Sequence, residues 1–363
     1  MRGLARRALG ALTGLPALTG MGALTGLRAL RGPWALSGLR TLAGLGALLG
    51  LGVLAAMGSA AAADKASLIL NWYLGGLHTP FYLGVANGCY GRENVDLAIE
   101  EGRGSVRAVQ VVGAKGSTFG MSDAGSLMIG VSRGTPLKAV MSLLNTSGFA
   151  IISLERTGIR GPKDLEGKKL AVSPGDALTQ LFPAVVKANG LDQGRIELVF
   201  MDPPAKVPAT LEGRTDALLG GIDDQFFLIE AQGQKAAGLR FADLGVNTVG
   251  MTIHTHEDVV RDQPDLVRRF VKGTVCAWEA ARADPDAAVA AALKVKPDLN
   301  RESTKKQLLV DLTLIESPAS RGKGIGYAAA EDWERTRDLL VQYRDLKTDR
   351  PAMSFVTNEF LPR

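Results

Sequence analysis

Histidine and cysteine are scarce, with three His and two Cys in 363 residues. That is too few for a Cys/His zinc site or an iron–sulfur cluster, and it excludes a disulfide-dense scaffold. Acidic residues are missing from the first 63 positions, which carry six Arg (Arg2, Arg6, Arg7, Arg28, Arg31, Arg40) and no Lys. Taking those six from the 42 basic residues leaves 36 against 37 acidic ones in the remaining 300. The formal net charge of +5 therefore belongs to the leader, and the near-neutral body gives no support to a nucleic-acid or anionic-membrane partner. Three hundred residues bury a full core and approach the size at which one core divides, so two lobes are expected.

The leader is low in complexity. Ala-Leu-Thr-Gly occurs at residues 11–14, 17–20 and 23–26, and an uncharged Leu/Gly/Ala run spans Leu42 to Met57 behind Arg28, Arg31 and Arg40. Ala61-Ala62-Ala63 follows, ahead of the first acid, Asp64. This is the charged region, apolar region and small-residue cleavage site of a secretory signal. A permanent anchor is the alternative, but the run is rich in Gly and Ala. The expectation is cleavage near Ala63 and a mature chain working in the periplasm. No Cys follows the apolar region, so a lipid anchor is not indicated.

From Asp64 onward, short β-type runs alternate with helical ones. Strands are expected at Leu68–Leu70, Val95–Ile99, Ser117–Met121, Leu137–Leu144, Ala150–Leu154, Lys169–Val172, Ile196–Phe200, Leu218–Ile222 and Val246–Ile253, with helices between and a helical tail. Such alternation argues for α/β layers with a ligand crevice beyond the carboxyl ends of the strands. The informative residues should then lie just after strands.

Asn71-Trp72-Tyr73-Leu74-Gly75-Gly76-Leu77-His78 follows the first strand and brings two aromatics and a His beside a Gly pair. An aromatic face with a few polar groups grips a flat heterocycle, although Trp72 as a packing residue and His78 as a helix-start cap would read the same way. Ser122-Asp123 and Gly175-Asp176 stand at strand-to-helix turns. Both Asp residues serve equally as N-caps. If they face the crevice, their charge disfavours sulfonate or nitrate and suits a neutral or amine-bearing ligand. Asp223-Asp224 is an acidic pair after a strand, without a His or third carboxylate adjacent in sequence. It reads as a contact to ligand amino groups or a helix cap. His254 and His256 resemble a metal clip, but Thr255 with Asp258 reads as a capping box and further ligands are lacking. Pairing of Cys89 with Cys276 stays open at this level. No Gly-x-Ser-x-Gly occurs, and nothing in the sequence demands catalysis.

Several of these segments together resemble a known family. Asn71-Trp72 with His78, Phe119 to Asp123, Gly158-Ile159 through Pro162-Lys163-Asp164-Leu165 to Gly167-Lys168-Lys169, Pro264 to Phe270, and Thr357-Asn358-Glu359-Phe360 are similar to the substrate-binding proteins of ABC importers. The resemblance is to the branch of thiamine-pyrimidine-precursor binders, related more distantly to sulfonate, taurine and nitrate binders. It implies a two-lobed α/β periplasmic binding protein of type II, with a hinge and a ligand cleft between the lobes. Lobe one would comprise residues 64–150 and 246–363, and lobe two residues 151–245. It also implies a monomer without cofactor or metal that delivers a small-molecule ligand to an ABC permease. Trp72 and His78 would match the family's opening pocket segment, Ser122 and Asp123 its second pocket turn and Gly175-Asp176 the turn from the other lobe, while Asn71 beside Trp72 and the Asp223-Asp224 pair complete the candidate ligand-binding set. Leu74-Gly75-Gly76-Leu77 departs from the polar residues usual there, so a related ring, another pyrimidine or a flavin-like one, is also consistent. Two other readings are an aliphatic sulfonate or nitrate binder, and a pyrimidine synthase that consumes its own His and pyridoxal phosphate. The synthase would need a cytosolic chain, a Cys-rich motif and a suitably placed Lys.

Overall fold

A computed structural model describes residues 62–344 and 346–362, so the leader expected at residues 1–63 lies almost wholly outside the described part. The chain opens with strand β1 (Asp64–Ile69), helix α1 (Thr79–Ala86), β2 (Val95–Glu100), α2 (Ser105–Gly113), β3 (Phe119–Asp123), α3 (Ala124–Ser132) and β4 (Leu137–Ser142). It continues with β5 (Phe149–Leu154), β6 (Lys169–Val172), α4 (Ala177–Ala188), β7 (Glu197–Phe200), α5 (Lys206–Leu211), β8 (Ala217–Gly221), α6 (Gln225–Glu230) and β9 (Ala236–Arg240). The last part is β10 (Met251–His256), α7 (Glu257–Asp262), α8 (Pro264–Ala283), α9 (Pro285–Val295), α10 (Arg301–Leu314) and α11 (Ala330–Arg344).

Two five-stranded sheets result, in the orders β2-β1-β3-β10-β4 and β7-β6-β8-β5-β9. In each, the fourth strand runs antiparallel to its neighbours. That strand is the one that arrives from the other sheet: β5 follows β4, and β10 follows β9. The chain thus crosses between lobes at residues 143–148 and 241–250. The crossings are bonded to each other, Leu144 N–H to Met251 O at 3.0 Å and Gly250 N–H to Leu144 O at 2.9 Å. A Cβ on Gly250 would meet the Thr146 carbonyl oxygen at 2.5 Å, so only glycine lets the two strands lie this close. The arrangement is a two-lobed α/β fold with a hinge.

The expected strand over Val246–Ile253 begins later, at Met251. Val249 N–H donates to the Thr336 hydroxyl (2.8 Å), so this stretch bonds to α11 and serves as a crossing. Thr255 lies inside β10, and its hydroxyl donates to Thr118 O. The cap of α7 is therefore His256, whose Nδ1 accepts the Asp258 N–H at 3.1 Å, and the Thr255–Asp258 capping box does not form. His254 is buried against the Ser122 hydroxyl (3.2 Å), with its pKa lowered to about 3 by burial. The Thr357–Phe360 motif seals an edge: Thr357 N–H donates to Ala139 O, and the Asn358 side chain holds both Ala328 backbone groups.

The core of the first lobe is crossed by α8, where Phe270 stacks on Phe119 with centroids 3.8 Å apart. A disulfide joins Cys276 on this helix to Cys89, 187 residues earlier. Closing so long a loop restricts the unfolded chain, so the paired Cys89→Ala, Cys276→Ala variant should lose about 2–4 kcal/mol of stability. Urea denaturation of the two proteins reads this directly; coincident midpoints would show that the crosslink contributes nothing.

Candidate functional site

The cleft between the sheets contains about 630 Å³ of non-protein space, its open mouth included. Its first wall is the segment after β1. Asn71 to His78 leaves the strand in irregular backbone, which turns the Trp72, Tyr73 and His78 side chains into the space beyond the sheet. His78 is buried. Its Nδ1 accepts the Gly75 N–H (3.2 Å), so the ring proton sits on Nε2 and is donated to Asn71 Oδ1 (2.9 Å). Burial lowers its pKa to about 3, with the Lys296 charge acting in the same direction. His78 is thus a neutral clamp that fixes the Asn71 amide, and Asn71 Nδ2 finds no protein acceptor among the described residues. Trp72 and Tyr73 have ring centroids 5.3 Å apart. The Trp72 indole N–H lies near the Tyr73 hydroxyl but makes no hydrogen bond to it.

The opposite wall comes from the second lobe. Asp176 N-caps α4, its Oδ1 accepting the Thr179 N–H at 2.6 Å. Its Oδ2 faces Lys206 Nζ at 3.4 Å. Lys206 is fully buried, donates to Leu219 O (2.7 Å) and lies 5.0 Å from the Trp72 ring centroid. Burial depresses its pKa, partly offset by Asp176. Asp224 closes the wall where the lobes meet. It accepts from the Gln225 amide and, at 3.5 Å, from the Tyr73 hydroxyl, while Gln307 Nε2 reaches its Oδ1 at 3.1 Å. Gln307 also accepts the Gly76 N–H (2.8 Å), so one side chain of α10 ties the first wall to the second. Burial, then the neighbouring Asp223, raises the Asp224 pKa to about 7.

Of the nine residues expected at the site, six line this cleft together: Asn71, Trp72, His78, Asp176, Asp223 and Asp224. Three do not. Ser122 turns its hydroxyl into the sheet toward His254. Asp123 is the N-cap of α3, accepting the Ser126 N–H at 2.9 Å. It stands one layer behind Ser105, which lines the cleft and accepts the Asp123 N–H. Gly175 gives its carbonyl to Val106 N–H at a seam so tight that a Cβ on Gly104 would come within 2.3 Å of it.

These positions correct the charge argument made from the two turns. Asp123 and Asp176 are caps, and Asp176 is matched by a lysine, so neither repels an anion by facing it bare. The cleft carboxylates without a lysine at ion-pair distance are Asp223 and Asp224. Tyr73, the second aromatic of the Asn71–His78 segment, also lines it, and so do Ser105, Phe149, Lys206 and Gln225, which were not among the residues expected there. Lys206 had a signal, since it is the lone charge in Pro203-Pro204-Ala205-Lys206-Val207-Pro208, where a buried amine needs a partner.

Residues 76–288 match the family model described as NMT1/THI5 like. The chain belongs to this family. A riboflavin-binding protein, RibY, of Chloroflexus aurantiacus is 22% identical over 78% of this chain and 82% of its own. A formylaminopyrimidine-binding protein of Halalkalibacterium halodurans is 22% identical over 77% of this chain and 85% of its own. Other relatives are 4-amino-5-hydroxymethyl-2-methylpyrimidine phosphate synthases. Among solved structures, the alkanesulfonate-binding protein SsuA of Xanthomonas axonopodis pv. citri superposes with a TM-score of 0.65, at 15% identity, over 82% of this chain and 99% of that one. This likeness shows the periplasmic binding protein fold.

Proposed function

We propose that this member of the family is the extracytoplasmic solute-binding component of an ABC importer. Its lobes close on a small flat nitrogen heterocycle of the pyrimidine or thiamine-precursor kind, and the closed form is what a membrane permease receives. The observation that carries this reading is the Trp72–Tyr73 pair at a cleft whose rim offers both acceptors and donors: the Asp224 carboxylate, the Gln225 amide and the free Asn71 Nδ2. A stacking face with a few fixed polar groups is the usual way to hold such a ring. The Cys89–Cys276 disulfide supports an oxidising compartment, in keeping with the periplasmic location expected from the leader. No helix among the described residues is long and apolar enough to cross a membrane.

A sulfonate or nitrate is the second reading, favoured by one observation, the ammonium of Lys206 in the cleft wall. It requires Lys206 to give up Asp176. The synthase reading is disfavoured because His78 is held by Asn71 and Gly75, and the cleft lysine is engaged by Asp176 and Leu219.

A thermal-shift screen of the ligand-free protein against pyrimidines, thiamine, riboflavin, taurine, alkylsulfonates and nitrate tests the proposal, because a ligand that binds only the folded state raises the midpoint. Heterocycles should shift it and anions should not. Trp72→Ala should then weaken heterocycle binding roughly 10- to 100-fold, the loss of one stacked aromatic surface, with the fold retained. Shifts with sulfonate or nitrate alone would overturn the heterocycle reading.

A further inference from the structure

The cleft has a neighbour. Beyond Tyr73, Gly75 and Asp224, which border both spaces, a second cavity holds about 480 Å³ of non-protein space, its mouth included. Leu74, Leu228 and Leu299 give it apolar walls, and Lys296, Gln307 and the start of α10 supply the rest. Asn300 is occupied there as the helix cap, its Oδ1 accepting the Ser303 N–H at 2.9 Å. The Ser303 hydroxyl is different: the residue is only 4% exposed, and its Oγ meets no hydrogen-bond partner among the described residues. Leaving a buried hydroxyl unpaired is unfavourable unless something entering the cavity pairs with it.

We infer that this cavity is a second ligand subsite, which takes a neutral, hydroxylated chain carried by the ring in the cleft. The inference rests on the heterocycle reading and deepens it. At the partition between the spaces the Tyr73 hydroxyl accepts from the Gln225 amide at 3.0 Å and reaches Asp224 at 3.5 Å, and a ligand hydroxyl can replace the longer of the two contacts. The leucines suit the carbon atoms of such a chain and Ser303 suits one of its oxygens. A phosphate does not fit. The nearby ammonium, Lys296 Nζ, is already paired with Glu101 at 3.0 Å, and the Asp224 carboxylate borders the cavity.

The test is titration calorimetry on the purified, ligand-free protein with two pairs of probes, cytosine with cytidine and lumiflavin with riboflavin. Each pair compares a bare ring with the same ring bearing a hydroxylated substituent. The substituted member of at least one pair should bind about tenfold tighter, the gain from one or two added hydrogen bonds. Ser303→Ala should reduce that preference about three- to tenfold without changing the affinity of the bare ring. Riboflavin 5′-phosphate should bind more weakly than riboflavin. Equal affinities within both pairs, or an equal loss for both members in Ser303→Ala, would overturn the subsite while leaving the heterocycle reading intact. Failure of all four probes to bind the wild-type protein would overturn both.

Discussion

Lys206→Met should cost about 3–5 kcal/mol of stability, the largest loss expected from any single substitution at the cleft. The ammonium is fully buried, and its two anchors are the Leu219 carbonyl at 2.7 Å and Asp176 Oδ2 at 3.4 Å. Methionine fills much the same volume but leaves a carboxylate in a dry interior with only its cap bond to Thr179, and a carbonyl with one bond fewer. The cost is therefore that of an orphaned charge and not of lost packing. Asp176→Asn in the same chain removes the charge and keeps an N-cap side chain, so the double variant should be more stable than Lys206→Met alone by about 1–3 kcal/mol. Denaturant midpoints of the wild type, the two single variants and the double variant give this coupling. Additive losses would show that lysine and aspartate do not act as a pair.

The same pair shows what could and could not be read from the chain. Strand–helix alternation located nine of the ten strands, missing β9 (Ala236–Arg240), because the side-chain periods of 2 and 3.6 are local properties. The clustering of Asn71, Trp72, His78, Asp176, Asp223 and Asp224 followed from one rule, that ligands sit beyond the carboxyl ends of strands. What stayed hidden was the direction of each side chain. Asp123 and Asp176 are both N-caps after a strand, and no local feature says that one stands behind Ser105 while the other meets a lysine 30 residues away. Gln307 was hidden for a similar reason. It sits on a helix whose tertiary position alone brings it to Gly76 and Asp224.

The folded protein should be more stable at mildly acid pH than above neutrality, and Asp224 should account for much of the slope. Three carboxyls meet where α10 packs on the second lobe: Asp223, Asp224 and Asp311. All three are pushed upward, first by burial; Asp223 raises both Asp224 and Asp311 further, whereas the contact with Asp311 lowers Asp223. Neither carboxyl oxygen of Asp311 has a hydrogen-bond partner among the described residues. Lys206 lowers Asp224, but its charge is already turned to Asp176. A carboxyl whose pKa is raised on folding adds stability that is complete below the unfolded value, near 4, and is lost as pH rises through the folded value, about 7 for Asp224. Between pH 6 and 8 this one group should account for about 1.4 kcal/mol. Wild-type stability should fall across that interval. Asp224→Asn, uncharged at every pH, should flatten most of the fall while losing about 1 kcal/mol at pH 6, because the amide replaces one acceptor with a donor facing Gln225 or Gln307. Denaturant midpoints from pH 5 to 9 for the two proteins decide the matter: a wild-type profile already flat through neutrality would mean that Asp224 is ionised in the folded protein. In that case its hydrogen bonds from Tyr73, Gln225 and Gln307, and not a bound proton, hold the lobes together.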